Sequence, residues 1–528
     1  MKTNIKILFA IMIGGLLTAC NSYLDINTNP NSAVSSTPKL LISSALVGSA
    51  RVLEGYNAYG AETGGYAANA GGYGGFNEFV TYQYTNNTGQ NLWSNTYQNL
   101  ENYQQIINLS QGNSLLIYYQ AIAEIMMAHN FQLLVDEYND VPYTKALAGI
   151  GNLTPTYDGA ASVYVQLASL LDDAIAKINQ GMAAVPAPTA LAAEDVVYGG
   201  NMANWLKFAN TLKLKLMVRG NGKATFTNTS FDPSGFLTTD VLVNPGFKND
   251  NGRQNPKWGS WAWDYAGNAI NKAWMPTTFV LSFYDGNKIA DPARGTVVYY
   301  LYSTGTAKIT NQLGYESTTV PSCPEGTFWY SGTNRTPSSA GSSPGVLKGP
   351  DAGYPLFTAA ESYFLQAEAA LVGITIPGSP TDAASFANGI TASFNYLYSL
   401  PNGTQAVGLN YAADAAAYIT ANAGNYLADY SSASTTAQKL EAIITQKYIA
   451  LNFIHSHEGW NEYRRTTYPH VATVGPTART SFASIKSQST RPDKLPTRLL
   501  YPVTEARYNP ENVPQNISPW TSLIFWAQ

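Results

Sequence analysis

The sequence predicts a mainly α fold, a tetratricopeptide-like scaffold of helical hairpins that carries a large loop-rich, aromatic-rich insertion. Three observations predict it. Apolar residues recur at three- and four-residue spacing in segment after segment. Alanines at 359, 360, 367, 369 and 370 punctuate one such segment, and small side chains at that spacing let helix axes approach closely. Between about 221 and 354 the periodicity fades into Gly, Asn, Ser, Thr and Pro with many aromatics. No strict 34-residue repeat can be aligned, so the likeness to a repeat array is one of packing rather than of period.

The first residues predict processing rather than structure. Lys2 and Lys6 form a positive region, residues 7–17 an apolar run too short to span a bilayer, and "LTAC" at 17–20 resembles a bacterial lipobox. Residues 1–19 are therefore expected to be a lipoprotein signal peptide, with Cys20 the acylated first residue of the mature chain and the membrane contacted through that lipid. Each buried acyl CH2 contributes about 0.8 kcal/mol, so several chains on one cysteine hold a domain on a membrane durably. The stretch 20–40, rich in Asn, Ser, Thr and Pro, is expected to be a tether and lead-in. The rest of 20–528 is expected to be a single domain, with helical scaffold at about 41–220 and 355–528 and the insertion at about 221–354.

Within the scaffold, Trp93, Tyr97, Leu100, Tyr103 and Ile107 lie on one helical stripe. Residues 115–135 are apolar nearly all round and predict a helix buried between neighbours. "QGNS" separates the two. Further helices are expected at about 160–180, 201–219, 357–372, 383–399 and 437–455. In the 201–219 segment Trp205, Phe208, Leu212 and Leu216 form the buried stripe, and its basic residues are expected to be mostly solvated.

Composition excludes some functions. Charged residues are only 12% of the chain, hydrophobic ones 45%, and the formal net charge is -4, so there is no electrostatic footprint for nucleic acid. The only cysteines are Cys20 and Cys323, too few for a disulfide framework, and Cys323 is expected to be an unpaired loop thiol.

No catalytic constellation stands out. "GSSPG" at 341–345 fits G-x-S-x-G, but Pro344 lacks the N–H an oxyanion hole needs. His455 and His457 are two residues apart, which on a helix points them in opposed directions, so no metal is expected. His129, on the apolar helix, is expected to be a satisfied core histidine, and adjacent Asp172 and Asp173 do not face each other as a glycosidase pair must. The glycines at 71–75 lack the spacing and lysine of a phosphate loop. No cofactor is implied.

Binding chemistry is better represented. Sugars present apolar C–H faces and a rim of hydroxyls, which aromatic platforms and amide or carboxylate partners recognise. "QNPKWGSWAWDYAGN" supplies Trp258, Trp261, Trp263 and Tyr265 beside Asn255, Asp264 and Asn268. In extended backbone Trp261 and Trp263 would share a face as a stacking platform. Tyr73, Phe76, Trp329 and Tyr330 are secondary candidates. The alternative is that these aromatics pack the loop onto the scaffold.

Seven blocks in order, "YLDINTNPN" after the lipobox, "LVDEYNDVPYTKAL", "YGGNMANWLKFANTLKLKLMVR", "DPARG", "AESYFLQAEAAL", "EGWNEYRRTTYP" and "LPTRLLYPVTEARYNPEN", resemble the SusD/RagB family of outer-membrane lipoproteins, in its branch with a tetratricopeptide-like scaffold. Each block also has a structural reading: Pro142 ends a helix, and Arg464 and Arg465 pair with carboxylates or carbonyls near a helix end. The resemblance implies a cell-surface protein that binds a nutrient, most simply an oligosaccharide, and delivers it to a SusC-like TonB-dependent transporter, without catalysis. Competing expectations are a surface glycoside hydrolase, or a binding or lid component for peptide cargo. Family members often carry acids directly after the cysteine; here the first is Asp25.

Overall fold

The computed structural model describes residues 36–74, 77–300, 302, 310–315, 326–332 and 343–528. The signal peptide, Cys20, nearly all of the tether, Phe76 and Cys323 lie outside the described residues. Among those described, helices dominate and strands are few and short, as the periodicity predicts.

The first half of the scaffold is a run of long helices: α1 (Pro38–Thr63), the single-turn α2 (Asn77–Thr81), α3 (Gln90–Ser110), α4 (Ile117–Tyr138), α5 (Ala160–Ala183) and α6 (Met202–Arg219). Thr37 caps α1 by accepting from the Leu40 N–H, and Pro38 occupies the first turn, where its missing N–H costs nothing. α1 runs antiparallel to α3, since Tyr103 donates to Ala45 O at 2.8 Å while Tyr56 lies 3.2 Å from Thr96 farther along. α4 packs between α3 and α5, and α5 against α6. The insertion contributes α7 (Pro256–Trp261), α8 (Thr278–Leu281) and α9 (Pro292–Val298). The second half of the scaffold contains α10 (Ala359–Leu371), α11 (Asp382–Tyr398), α12 (Tyr411–Ala421), α13 (Thr436–Ala450), α14 (Ser456–Thr466) and the short α15 (Val503–Tyr508).

Two small antiparallel ladders tie the insertion down. β1 (Ala67–Asn69) pairs with β3 (Trp274–Pro276), and β2 (Val241–Val243) with β4 (Tyr354–Phe357). α10 and α11 approach closely because Gly389 leaves room for the Phe364 ring. Gly60 does the same between α1 and α14, where a Cβ would fall against the His457 backbone.

The core also holds charge. On α6, Trp205, Phe208, Leu212 and Leu216 are buried as expected, but so are Lys213, Lys215 and Arg219, which corrects the expectation that they are solvated. Lys213 pairs with Asp172 at 2.6 Å. Lys215 pairs with Glu361 on α10 at 3.0 Å and with Glu458 on α14 at 2.8 Å. Arg219 binds Asp136 on α4 at 2.5 Å, Glu462 at 3.0 Å, and Glu458. Lys447 on α13 reaches Glu462 at 2.9 Å, Arg465 clasps Glu368 and Glu462, and Arg464 reaches Glu137 at 3.1 Å. Arg464 and Arg465 thus do pair with carboxylates. "DPARG" is likewise structural: Asp291 caps α9 and binds the buried Arg294, which also donates to Ser393 and lies over the Phe394 and Tyr418 rings.

Removing one member of a buried, hydrogen-bonded set leaves its partners desolvated and unpaired. Arg219→Met is expected to lower stability by about 3–5 kcal/mol, read as a reduced urea midpoint. Burial alone would raise the Glu458 and Glu462 carboxyls, but Arg219 and Lys215 for the first, and Arg465, Lys447 and Arg219 for the second, outweigh it and hold both below 4.5. Their stabilisation is complete above that unfolded value and is lost as pH falls below it. The urea midpoint is therefore expected to drop on acidification through about pH 4.5, and less steeply in Glu462→Gln, measured against its own neutral-pH value.

Candidate functional site: an aromatic loop and the cavity beside it

The loop 252–270 is docked onto α1 through one buried carboxylate. Asn255 starts α7, its side-chain oxygen accepting from the N–H groups of Lys257 (2.9 Å) and Trp258 (3.1 Å) while its amide donates to Ala352 O (2.8 Å). Lys257 and Trp261 are four residues apart, so they share one helix face. Both point at Glu54: the ammonium lies 2.9 Å from one carboxylate oxygen, and the indole N–H donates to the other at 2.7 Å. Tyr354 donates to Glu54 at 3.0 Å and Asn57 at 3.2 Å. Burial lowers the Lys257 ammonium, partly offset by Glu54. The Trp261 ring then meets Phe453 edge-on at 4.5 Å, and Trp329 stacks on the same Phe453 at 3.9 Å.

Beyond α7 the chain folds into a tight hairpin. Trp263 bridges Ala269, Asp264 N–H donates to Asn268 O at 2.9 Å, and the Asp264 carboxylate accepts from the backbone and side-chain nitrogens of Asn268, each at 2.8 Å. Those two bonds hold the Asp264 carboxyl below its usual value. Tyr265 stands at the tip, 50% exposed.

Between α1 and residues 252–260 lies an open cavity of about 410 Å³, lined by Arg51, Glu54, Gln254, Asn255 and Ser260 among small residues. Gln254 joins it to the hairpin, donating to Asn249 Oδ1 at 2.7 Å and to Trp263 O at 3.3 Å. The cavity therefore offers guanidinium, amide and hydroxyl groups, and Gln254 ties it to the hairpin that carries the exposed Tyr265 ring.

The structure separates the sequence candidates into two sets. Trp258, Trp261, Trp263 and Trp329 are buried, and Asn255 is consumed as a helix cap, so these residues support the loop rather than face solvent. The expected Trp261/Trp263 platform is corrected for a local reason: Asn255-Pro256 starts a helix, so Trp261 ends a helical turn instead of lying on extended backbone. Tyr265 and Asn268 are exposed, Asp264 is half-buried, and all three share the hairpin. Tyr73 is exposed in the loop after β1, whose Ala70 N–H donates to Ala273 O beside β3. Tyr330 is half-buried. Arg51, Glu54, Gln254 and Ser260 were not anticipated; the Asn-Pro helix start in "QNPKW" is the signal that places Lys257 and Trp261 on one face.

Elsewhere, His455 Nε2–H donates to Pro355 O (2.9 Å), and His457 lies 3.3 Å from Glu458. No group of three or more potential metal ligands occurs among the described residues. His129 is buried, but neither ring nitrogen has a partner, which corrects the expectation of a satisfied histidine; burial, with Lys215 and His457 adding to it, lowers it to about 3 and keeps it neutral. In "GSSPG" the described Ser343 donates to Pro344 O. No helix among the described residues is long and apolar enough to cross a membrane.

Removing the Trp261 ring empties a packed site and leaves Glu54 short of a donor. Trp261→Ala is expected to cost about 3–5 kcal/mol, and Glu54→Ala, which strands Lys257, a similar amount, both read by urea unfolding.

Comparison with known proteins agrees with this architecture. Residues 30–232 match a family model described as starch-binding associating with outer membrane, and residues 332–520 match the SusD-like model described as SusD and RagB outer membrane lipoprotein. No curated protein matches the sequence. Among solved structures, a SusD homologue from Bacteroides fragilis is 18% identical with a TM-score of 0.64, covering 94% of this chain and 100% of its own. A chitin-binding SusD homologue from Flavobacterium johnsoniae is 20% identical with a TM-score of 0.65, over 92% of this chain and 98% of its own. A SusD-like protein from Bacteroides thetaiotaomicron is 21% identical with a TM-score of 0.64, over 92% and 98%. With its helical scaffold superposing on these structures over nearly its whole length and both halves matching family models, the chain belongs to the SusD/RagB family.

Proposed function

We propose that this protein is a lipid-anchored, cell-surface binding protein that captures an oligosaccharide at the aromatic loop and delivers it to a SusC-like TonB-dependent outer-membrane transporter. Cys20 carries the acyl anchor in this reading. The observation that carries the site assignment is the hairpin tip: Tyr265 is presented to solvent on a turn closed by Asp264 and Asn268, and Gln254 ties that hairpin to an open cavity of about 410 Å³. A ring fixed in advance stacks on a sugar face without first losing freedom. Arg51, Gln254 and Ser260 supply donors and acceptors for hydroxyls.

The arrangement favours binding over hydrolysis. A glycosidase needs two carboxyl groups free to act on either side of a bond. Here Glu54 is committed to Lys257, Trp261 and Tyr354, and Asp264 to Asn268.

Affinity electrophoresis through a panel of soluble polysaccharides tests the reading. Retardation by at least one polysaccharide is expected, weakened about 3- to 10-fold in Tyr265→Ala, the scale of one lost aromatic contact, with an unchanged urea midpoint. Equal retardation of the variant sinks the site assignment, and release of reducing ends by the pure protein sinks the non-catalytic reading.

A further inference from the structure

The cavity between α1 and residues 252–260 is lined by two charged side chains that differ in what they have left to offer. One Glu54 oxygen accepts from Lys257 at 2.9 Å and Tyr354 at 3.0 Å, the other from Trp261 at 2.7 Å and Asn57 at 3.2 Å. Its charge is matched by the Lys257 ammonium and its lone pairs are taken. Arg51, three residues earlier on α1, is exposed and enters no ion pair among the described residues. Its guanidinium makes one hydrogen bond there, from Nη2 to Gly252 O at 3.4 Å, long for such a contact. The turn that supplies Gly252 O also carries Lys248 and Arg253, both exposed, against a single acid, Asp250, 3.7 Å from Arg253. The chain as a whole has a formal net charge of -4, so this positive edge runs against the background. Gln254 and Ser260 complete the lining. The Gln254 amide is oriented by donating to Asn249 Oδ1 and Trp263 O, while its carbonyl oxygen and the Ser260 hydroxyl have no partner among the described residues.

We propose that the glycan taken here is acidic: Arg51 holds the oxyanion of a carboxylate- or sulfate-bearing sugar, while Gln254 and Ser260 receive its hydroxyls. The inference rests on the oligosaccharide reading of the same site given above. A guanidinium is a planar fork whose paired N–H groups match two oxygens of one anion, and such charge-assisted bonds are about twice as strong as neutral ones. A neutral sugar draws no such gain. Its hydroxyls are served by amides and other hydroxyls, and covering an unpaired guanidinium with it removes water without returning a counter-charge. Lys257 does not take this role, because its ammonium is buried against Glu54.

The test is affinity electrophoresis through polygalacturonate, alginate, hyaluronan and chondroitin sulfate, set against neutral galactan, laminarin and hydroxyethyl cellulose. Retardation by at least one acidic polymer is expected, weakened about 5- to 20-fold in Arg51→Gln. Arg507→Gln, which removes the same charge from an exposed position on α15 outside the cavity, is expected to leave the retardation unchanged. Chemical treatment of the retarding polymer identifies the anion: loss of retardation on carboxyl reduction assigns a uronate, and loss on desulfation a sulfate ester. Retardation by neutral polymers alone, its survival after both treatments, equal retardation of Arg51→Gln, or an equal loss in Arg507→Gln overturns the inference and leaves the oligosaccharide reading standing. Retardation by none of the seven polymers overturns that reading and this one with it.

Discussion

The salt-bridge network where α4, α6, α10, α13 and α14 meet is the constraint on which the rest of the structure depends. Lys215, Arg219, Lys447, Arg464 and Arg465 face Asp136, Glu137, Glu361, Glu368, Glu458 and Glu462, several of them shared between two or three partners. Burial pushes the Glu137 carboxyl up, against the pull of the Arg464 guanidinium 3.1 Å away. A desolvated network is stable only when every member is satisfied, because a lone buried ion costs several kcal/mol. The members come from five helices spread over more than three hundred residues of chain, so the network forms only when both halves of the scaffold are in place. It therefore specifies one arrangement of helices among the many that hydrophobic packing alone would allow.

From there the constraint passes to the candidate site by contact. α14 carries Glu458 and Glu462 on one side and, at His457, packs against Gly60 of α1 on the other. α1 carries Glu54, Glu54 holds Lys257 and Trp261, and Trp261 sets α7, from which the Tyr265 hairpin continues. Four of the seven blocks that resemble the family, "LVDEYND", "KLKLMVR", "AESYFLQAEAAL" and "EGWNEYRR", supply every charge of the network except Lys447. They identify the family through its scaffold and are silent about its ligand. The aromatic loop lies between the two stretches that match family models.

How far the sequence reveals this depends on the range of the interaction concerned. Helices α3, α5, α6, α10 and α11 are legible because their apolar stripes have a local period, and α4 because a long run is apolar nearly all round. α1, the longest helix, escapes because Ala, Gly and Ser contacts bury it on nearly every side, which leaves little amphipathic contrast. The segment expected as one helix at 437–455 ends at Ala450 and resumes at Ser456, because Phe453 takes a left-handed conformation (φ 61°) that places its ring between Trp261, Trp329 and the Lys257 ammonium. No Gly or Pro marks that break; tertiary packing makes it. The same range limit misplaces the tryptophans. A dense aromatic run signals either a binding platform or a packed loop, and what decides between them is Glu54, about two hundred residues away in sequence.

The geometry of α1 links the start of the helical scaffold to the candidate site. Pro38 opens the helix at the end where the tether enters, and Glu54 sits 16 residues along it, a rise of about 24 Å. α1 therefore carries the packing at its start and the carboxylate that docks the aromatic loop on one rigid element.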